Sequence, residues 1–415
     1  MGRTVDKSWA IYREGTKHLA CGSSTLSKVP RIEGAEPAAI VRGRGCRVWD
    51  ADGNEYIDFR NGLGPVTLGY GVPEIDRAIT AQLQSGIVFG HPHPLEAEVA
   101  RMLTEAVPCA QKVRFLKTGG EAVAACIKIA RHATGRELIV HCGYNGWLNN
   151  LGAGGPRPPH PTLSPMGRGQ GEGAERGFPE GQRRCHLRLP WGDLPAWERI
   201  FAAHGPKIAA AVVACDYAEL EQGREFLPAL RALTRQHGAL LIMDEIVMGF
   251  RLAIGGAHEY FHFDPDLAVF AKGIANGMPL SAYLGRADLM ESAKELGISS
   301  TYGGETLSLA AARAAINFYR EKHVIEHLWR VGRQFVEGLS MVFRRRGFLK
   351  AAELRGAPVC PAFSFASAEL AEKFFSACYR HGVSLYTMPY VNWSHKDGDI
   401  AEAIERIEEA VKDLL

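Results

Sequence analysis

Short apolar runs alternate with stretches of helical period through the middle of the chain. Arg114–Leu116, Leu138–Val140, Ala211–Val213, Leu240–Met243 and Leu267–Phe270 are too brief for helices and read as buried strands. Between them, Glu121 to His132 and Leu227 to His237 place apolar residues at helical spacing. Strand and helix in alternation imply a mainly parallel sheet with helices on both faces, an α/β fold. Upstream, Gly45 to Phe59 reads as two short strands around the Asp52-Gly53 turn, a hairpin. Downstream, a long helical stretch from Ser308 to about Arg345 precedes an extended run at Pro361–Phe365. A helix, a second run near Val383 to Tyr386 and an amphipathic helix from Asp399 complete the chain. The expected division is an N-terminal segment over 1–70, a large domain over 71–320 and a small α+β domain over 321–415. The small lobe combines the N- and C-terminal segments.

One stretch has no period at all. About half the residues from Gly152 to Gln182 are Gly or Pro, and ordering them would cost more chain entropy than their few apolar groups return. The expectation there is a disordered surface insertion over 152–182.

At 415 residues with a formal charge of +2, the chain can bury a large core and carries no excess of basic charge to draw it to phosphate backbones or anionic lipid. Nucleic acid and membrane are therefore not expected partners. The nine cysteines are scattered and odd in number, which fits reduced thiols in the cytoplasm. His91 and His93 are flanked by prolines without a nearby Cys or carboxylate to complete a set, so no metal site is expected. Cys142 reads as a structural thiol.

Three strand ends carry chemistry. Thr118-Gly119-Gly120 sits where a strand passes into a helix, which gathers free backbone N–H groups and the positive end of a helix dipole at one point, as an anion site needs. Taken alone, such a Gly-Gly turn is more often plain turn chemistry. Asp244 and Glu245 end an apolar strand, so at least one carboxylate lies at the sheet's carboxyl edge; a helix cap or an ion pair to Arg251 is the alternative. Lys272 follows another apolar strand and precedes a Gly- and Pro-containing loop. Burial there would favour the neutral amine that Schiff-base chemistry uses, whereas a lysine reaching out to solvent would have no such role.

A phosphate cradle, a carboxylate for a pyridinium nitrogen and a lysine for an aldimine are together what pyridoxal phosphate requires. The chain resembles the class III aminotransferases of fold type I over nearly its whole length, especially the glutamate-1-semialdehyde aminomutase branch. The resemblance rests on the hairpin Trp49 to Phe59, the turn Thr118 to Ala122 and the run Gly238 to Ile246 with Gly249-Phe250-Arg251. It extends to Lys272 through Pro279 and to Ser300-Thr301-Tyr302-Gly303-Gly304. It implies pyridoxal 5'-phosphate as cofactor, Lys272 as aldimine lysine and proton shuttle, and Asp244 as partner of the ring nitrogen. It further implies that Thr118, Gly119 and Gly120 hold the phosphate, that Tyr144 stacks on the ring, that Ile246 contacts the cofactor, and that Thr301 reaches the phosphate of a second subunit. A homodimer is thus expected.

The departures from the family pattern bear on the reaction. Asn145 stands where the family usually has histidine, and Cys215-Asp216 where it usually has Glu-Pro. Lys28, with Arg31 close by, aligns with the aminomutase's carboxylate-binding arginine, and a lysine is the poorer bidentate partner. The expected activity is an aminotransferase working between an amino donor and a carbonyl acceptor. The alternatives are an intramolecular aminomutase and a family member impaired by the insertion, Asn145 and Cys215.

Overall fold

A computed structural model describes residues 3–148 and 177–415. The first strands in chain order are β1 (Ile40–Arg44), β2 (Arg47–Asp50), β3 (Glu55–Asp58), β4 (Lys112–Leu116), β5 (Leu138–Cys142), β6 (His186–Arg188) and β7 (Ile208–Val213). They are followed by β8 (Leu240–Asp244), β9 (Leu267–Phe270), β10 (Ser281–Gly285), β11 (Ala352–Arg355), β12 (Ala362–Phe365) and β13 (Val383–Ser384). The described residues fall into two compact units: one holds the residues up to Val72 and Glu326–Leu415, the other those from Pro73 to Ile325.

The larger unit is built on a seven-stranded sheet in the order β4-β10-β9-β8-β7-β5-β6. Strands β5 to β9 are mutually parallel, while β10 runs antiparallel to both β9 and β4. All six residues of β7 are buried, as a central strand covered on both faces must be. Helix Gly119–Thr134 shows why the sequence folds this way locally. It opens on a capping box, in which the Thr118 side chain accepts from the Glu121 N–H and Glu121 reaches back to Thr118, and it stops at Gly135 in the left-handed region. Its buried stripe of Val123, Cys126, Ile127 and Ala130 joins Val212, Ile242 and Val269 of the sheet in one apolar cluster. Each large aliphatic side chain buried there contributes ~1.5–3 kcal/mol.

In the smaller unit, β1, β2, β3 and β13 form one sheet, with β13 parallel to β3, so N- and C-terminal segments share a ladder. Arg47 on β2 fastens this ladder to the last helix, Asp397–Lys412, through Asp399 at 2.9 Å and Glu402 at 2.6 Å. Strands β11 and β12 make a separate antiparallel pair.

Several expectations are corrected. The long helical stretch expected from Ser308 to about Arg345 is made of two helices, Thr306–Glu321 and Val324–Arg345, parted where His323 takes a φ of +50°. Strand β10 went unrecognised: the Gly- and Pro-containing loop before it draws notice only for its place beside Lys272, and its own short run, Ser281–Gly285, carries small and polar residues rather than a continuous apolar stretch. The expected insertion over 152–182 lies outside the described residues as far as 176; its last residues enter the short helix Glu180–Arg184. All nine cysteines are free. No helix of the described residues is long and apolar enough to cross a membrane.

Candidate active site

Because β10 is antiparallel to both its neighbours, β4 and β9 run the same way, and the carboxyl ends of β4, β5, β8 and β9 share one edge of the sheet. Thr118, Asn145, Asp244 and Lys272 follow or end those strands. Open α/β sheets bind ligands at this edge. Strand β10 begins here too, and Ser281 at its start donates to the Thr118 carbonyl at 2.9 Å, fixing the turn before the helix. Ser281 carries no motif, and nothing in the sequence singled it out.

The turn itself is tight. A Cβ on Gly119 would lie 2.2 Å from Ile246 Cδ1, so the absence of a side chain lets Ile246 pack against the turn. The first-turn amides of Gly119 and Gly120 have no intrahelical acceptor and are oriented along the helix axis. Gly146 adopts a φ of +88° and packs so near that a Cβ there would sit 3.2 Å from Gly120 Cα, which brings the segment after β5 against the turn. The Thr118 hydroxyl donates to Glu121 Oε2 at 2.8 Å.

Asp244 is 5% exposed. Its Oδ1 accepts from the Ile246 N–H at 3.1 Å and its Oδ2 from Asn145 Nδ2 at 3.3 Å. Burial nonetheless pushes its pKa up to about 7, against the opposing pull of those two donors and of the Lys272 charge. On the neighbouring strand end, Lys272 is part-buried with a φ of +49°, a left-handed conformation that a lysine adopts at a cost of about 1–3 kcal/mol. Burial lowers its pKa to about 8; Asp244 resists this and the Arg251 charge adds to it. Two groups of opposite sign are thus both poised near neutrality, a pattern that clusters at functional sites.

Glu245 belongs elsewhere. Its carboxylate is fully buried and accepts from the Ala257 and His258 backbone N–H groups at 2.8 and 3.0 Å, with His258 Nδ1 at 3.1 Å. This is the helix-capping alternative, realised one residue beyond Asp244. Tyr144 is 53% exposed, and Asn145 beside it is buried. Thr301 is exposed in the turn before helix Thr306–Glu321, whose cap Glu305 pairs with Lys117 at 2.9 Å. Lys28 and Arg31 lie in the smaller unit, both exposed, in a segment held by Arg60 donating to the Ser27 carbonyl and by Glu36 accepting the Arg31 and Ile32 N–H groups. His93 caps helix Pro94–Ala106, and among the described residues no group of three or more His, Cys, Asp or Glu side chains could hold a metal.

The residues fit pyridoxal phosphate. The cofactor needs an anion cradle, an amine that is not locked in the charged form and a carboxylate willing to meet a cation. The bare helix start at Gly119-Gly120, Lys272 at about 8 and Asp244 at about 7 supply the three.

The whole chain superposes on enzymes of this kind. An omega-transaminase from Sphaerobacter thermophilus matches with a TM-score of 0.82 at 24% identity, over 98% of this chain and 97% of that one. A glutamate-1-semialdehyde aminomutase from Pseudomonas aeruginosa matches with a TM-score of 0.83 at 20% identity, over 99% and 95%. The fold is that of the fold type I pyridoxal-phosphate transaminases. The family model for class-III aminotransferases covers residues 30–411. The glutamate-1-semialdehyde 2,1-aminomutase of Aquifex aeolicus is 31% identical over 98% of this chain and 100% of its own. That of Persephonella marina is 32% identical over 99% and 100%. The chain belongs to the class-III aminotransferases and is a pyridoxal-phosphate-dependent enzyme.

Proposed function

We propose that the protein is an aminomutase of the glutamate-1-semialdehyde type, which moves an amino group between neighbouring carbons of one small carbonyl-bearing substrate. The expectation of transfer between separate donor and acceptor gives way here, because relatives 31–32% identical along nearly their whole length carry the aminomutase name. The observation that carries the chemistry is the placing of Asp244 and Lys272 on adjacent strand ends with their proton affinities drawn together by burial.

In this reading Lys272 binds the cofactor. Gly119, Gly120 and Thr118 hold the phosphate, Tyr144 and Ile246 flank the ring, and Asp244 pairs with the ring nitrogen. Bound cofactor supplies an electron sink for the carbon that loses its proton. The protein's own part is to move that proton and to keep the sink charged. Lys272 Nζ, whose pKa burial lowers to about 8, would take the proton from the carbon bearing the amino group and return it to the neighbouring carbon. Asp244, costly as an isolated anion, is stabilised by the cation at the ring nitrogen, so burial that is unfavourable without the cofactor becomes favourable with it.

The reading includes a homodimer in the cytoplasm. Leu83, Phe89 and Tyr302 of the larger unit are 52%, 47% and 59% exposed, and Ile87, Met278, Tyr302 and Leu307 line one apolar hollow. That surface suits a second copy whose Thr301 completes the phosphate site.

A second reading, transfer between separate molecules, is favoured by Lys28 at the position of the aminomutase's arginine. Half-reactions separate the two. The aminomutase reading expects turnover of glutamate-1-semialdehyde with no added donor. Rapid release of a keto product from an external donor, with no turnover of the semialdehyde, overturns it; inertness toward both marks an impaired family member.

A further inference from the structure

We propose that His141 is a positioning residue for Asp244, acting through the side chain of Asn145. The proposal rests on the reading of Asp244 as the ring-nitrogen partner and adds a residue behind it.

His141 sits near the end of β5, opposite Val212 of β7 and Arg188 of β6, and is wholly buried. An otherwise apolar strand has no packing reason to hold an imidazole here. Among the described residues neither ring nitrogen of His141 meets a hydrogen-bonding partner, and the same is true of Asn145 Oδ1. Three unmet polar atoms in one buried place are rare in folded proteins and call for a role. They are mutually complementary, since a neutral imidazole carries one N–H and Asn145 Oδ1 is an acceptor. The imidazole is neutral: burial first, then the charges of His186 and Arg188, lower its pKa to about 3, with the adjacent Asn145 amide working the other way.

On the β6 side stand Arg188 and His186; His186 is paired through Nε2 with Arg131 at 3.1 Å, and its Nδ1 is likewise without a partner among the described residues. With Nε2 accepting from the Arg131 guanidinium, His186 Nδ1 carries the ring proton and is a donor, so the acceptor for a His141 N–H is the Asn145 oxygen. On the other side stands Asn145, whose Nδ2 already donates to Asp244 Oδ2 at 3.3 Å. In the proposed pairing the His141 N–H donates to Asn145 Oδ1. The amide is then held with its NH2 group toward the carboxylate; turned over, it would set an oxygen lone pair against Asp244. The buried imidazole four residues before Asn145 thus stands behind the amide that holds Asp244.

The test uses two variants and two readouts. His141→Phe keeps the ring's bulk without its N–H. It should lower kcat roughly tenfold with KM little changed, as loss of an outer orienting partner does elsewhere, and should move the acidic limb of the kcat profile to higher pH. His141→Gln, which keeps a donor, should restore most of the rate and the limb. The readout independent of the loaded enzyme is the nitrogen NMR of the histidines in cofactor-free protein. His141 should show one neutral tautomer across the stable pH range, and Asn145→Ala should shift its resonances. A His141→Phe enzyme with unchanged kcat and pH profile, while Asp244→Asn is silenced, overturns the proposal and spares the reading of Asp244. If Asp244→Asn is itself fully active, that reading fails first. Should His141→Phe not fold, unchanged His141 resonances in Asn145→Ala overturn the proposal alone.

Discussion

Replacing Asp244 with asparagine keeps its shape and its place among the Ile246 and Asn145 donors while removing the negative charge. The pKa rise from 3.8 to about 7 corresponds to ~4 kcal/mol acting against the anion in the cofactor-free protein. If Asp244 is the ring-nitrogen partner, an interaction of that order with the cation would bring its pKa back to the ordinary carboxylate range and hold it fully ionised at neutral pH. That same interaction keeps the ring protonated. Its loss should therefore remove ~3–4 kcal/mol of transition-state stabilisation, a fall in kcat of about a hundredfold to a thousandfold, with the cofactor still bound. The stability effect has the opposite sign. A carboxyl whose folded pKa is raised contributes most below its unfolded value and loses that contribution as pH climbs from about 4 through about 7. Cofactor-free Asp244→Asn should thus be more stable than the parent at pH 8, and this gain should shrink toward pH 4. Steady-state kinetics and thermal melts of the cofactor-free proteins at both pH values make the measurement. Near-parental kcat, together with no stability gain at pH 8, would refute the assignment and the burial reasoning at once.

Lys272→Ala should lose covalent attachment of the cofactor; after borohydride treatment, peptide mass spectrometry should find the cofactor's mass on the Lys272 peptide of the parent and on no peptide of the variant. Glu245→Gln breaks a buried pair with His258 and should destabilise the fold by ~3–5 kcal/mol in denaturant titrations near pH 6. Against the lowering effect of burial, Cys109 and Glu245 raise the His258 pKa to about 10, so the deficit should be complete below about 6.5 and fade as pH rises through about 10; equal stability at pH 6 would sink the pairing. Gly146→Ala places a Cβ 3.2 Å from Gly120 Cα at a φ of +88°. It should weaken cofactor binding about tenfold through roughly 1–2 kcal/mol of strain at the phosphate turn, read by titrating cofactor-free protein, and unchanged affinity would count against the turn's role.

What was legible in the sequence, and what was not, follows from the range of each interaction. Strands such as Leu240–Met243 are buried on both faces, so every position is apolar and the run stands out without knowledge of its neighbours. The capping box at Thr118 and Glu121 is equally local, and it marks the helix start to the residue. Strand β10 pairs with nearby β9 on one side and with β4, more than a hundred residues away, on the other, and its antiparallel sense leaves no trace in its own composition. The same contrast divides the candidate site. Asp244 and Lys272 are recognisable because each ends an apolar strand, where a charge is conspicuous. Ser281 acts on Thr118 far along the chain, and His141 is proposed to act through nearby Asn145 on the distant Asp244, while a serine or histidine within a strand looks like any other. Asn145 lies between: its departure from the family pattern is visible in the sequence, yet only the fold brings its amide to Asp244 and leaves its oxygen facing a buried imidazole. A buried amide with one half engaged is best tolerated when a second polar group satisfies the other half. Asn145 and His141 should therefore be energetically coupled rather than independent, and a double-mutant cycle on the two positions should give an interaction energy of ~0.5–3 kcal/mol, where additive effects would show that the imidazole is a bystander.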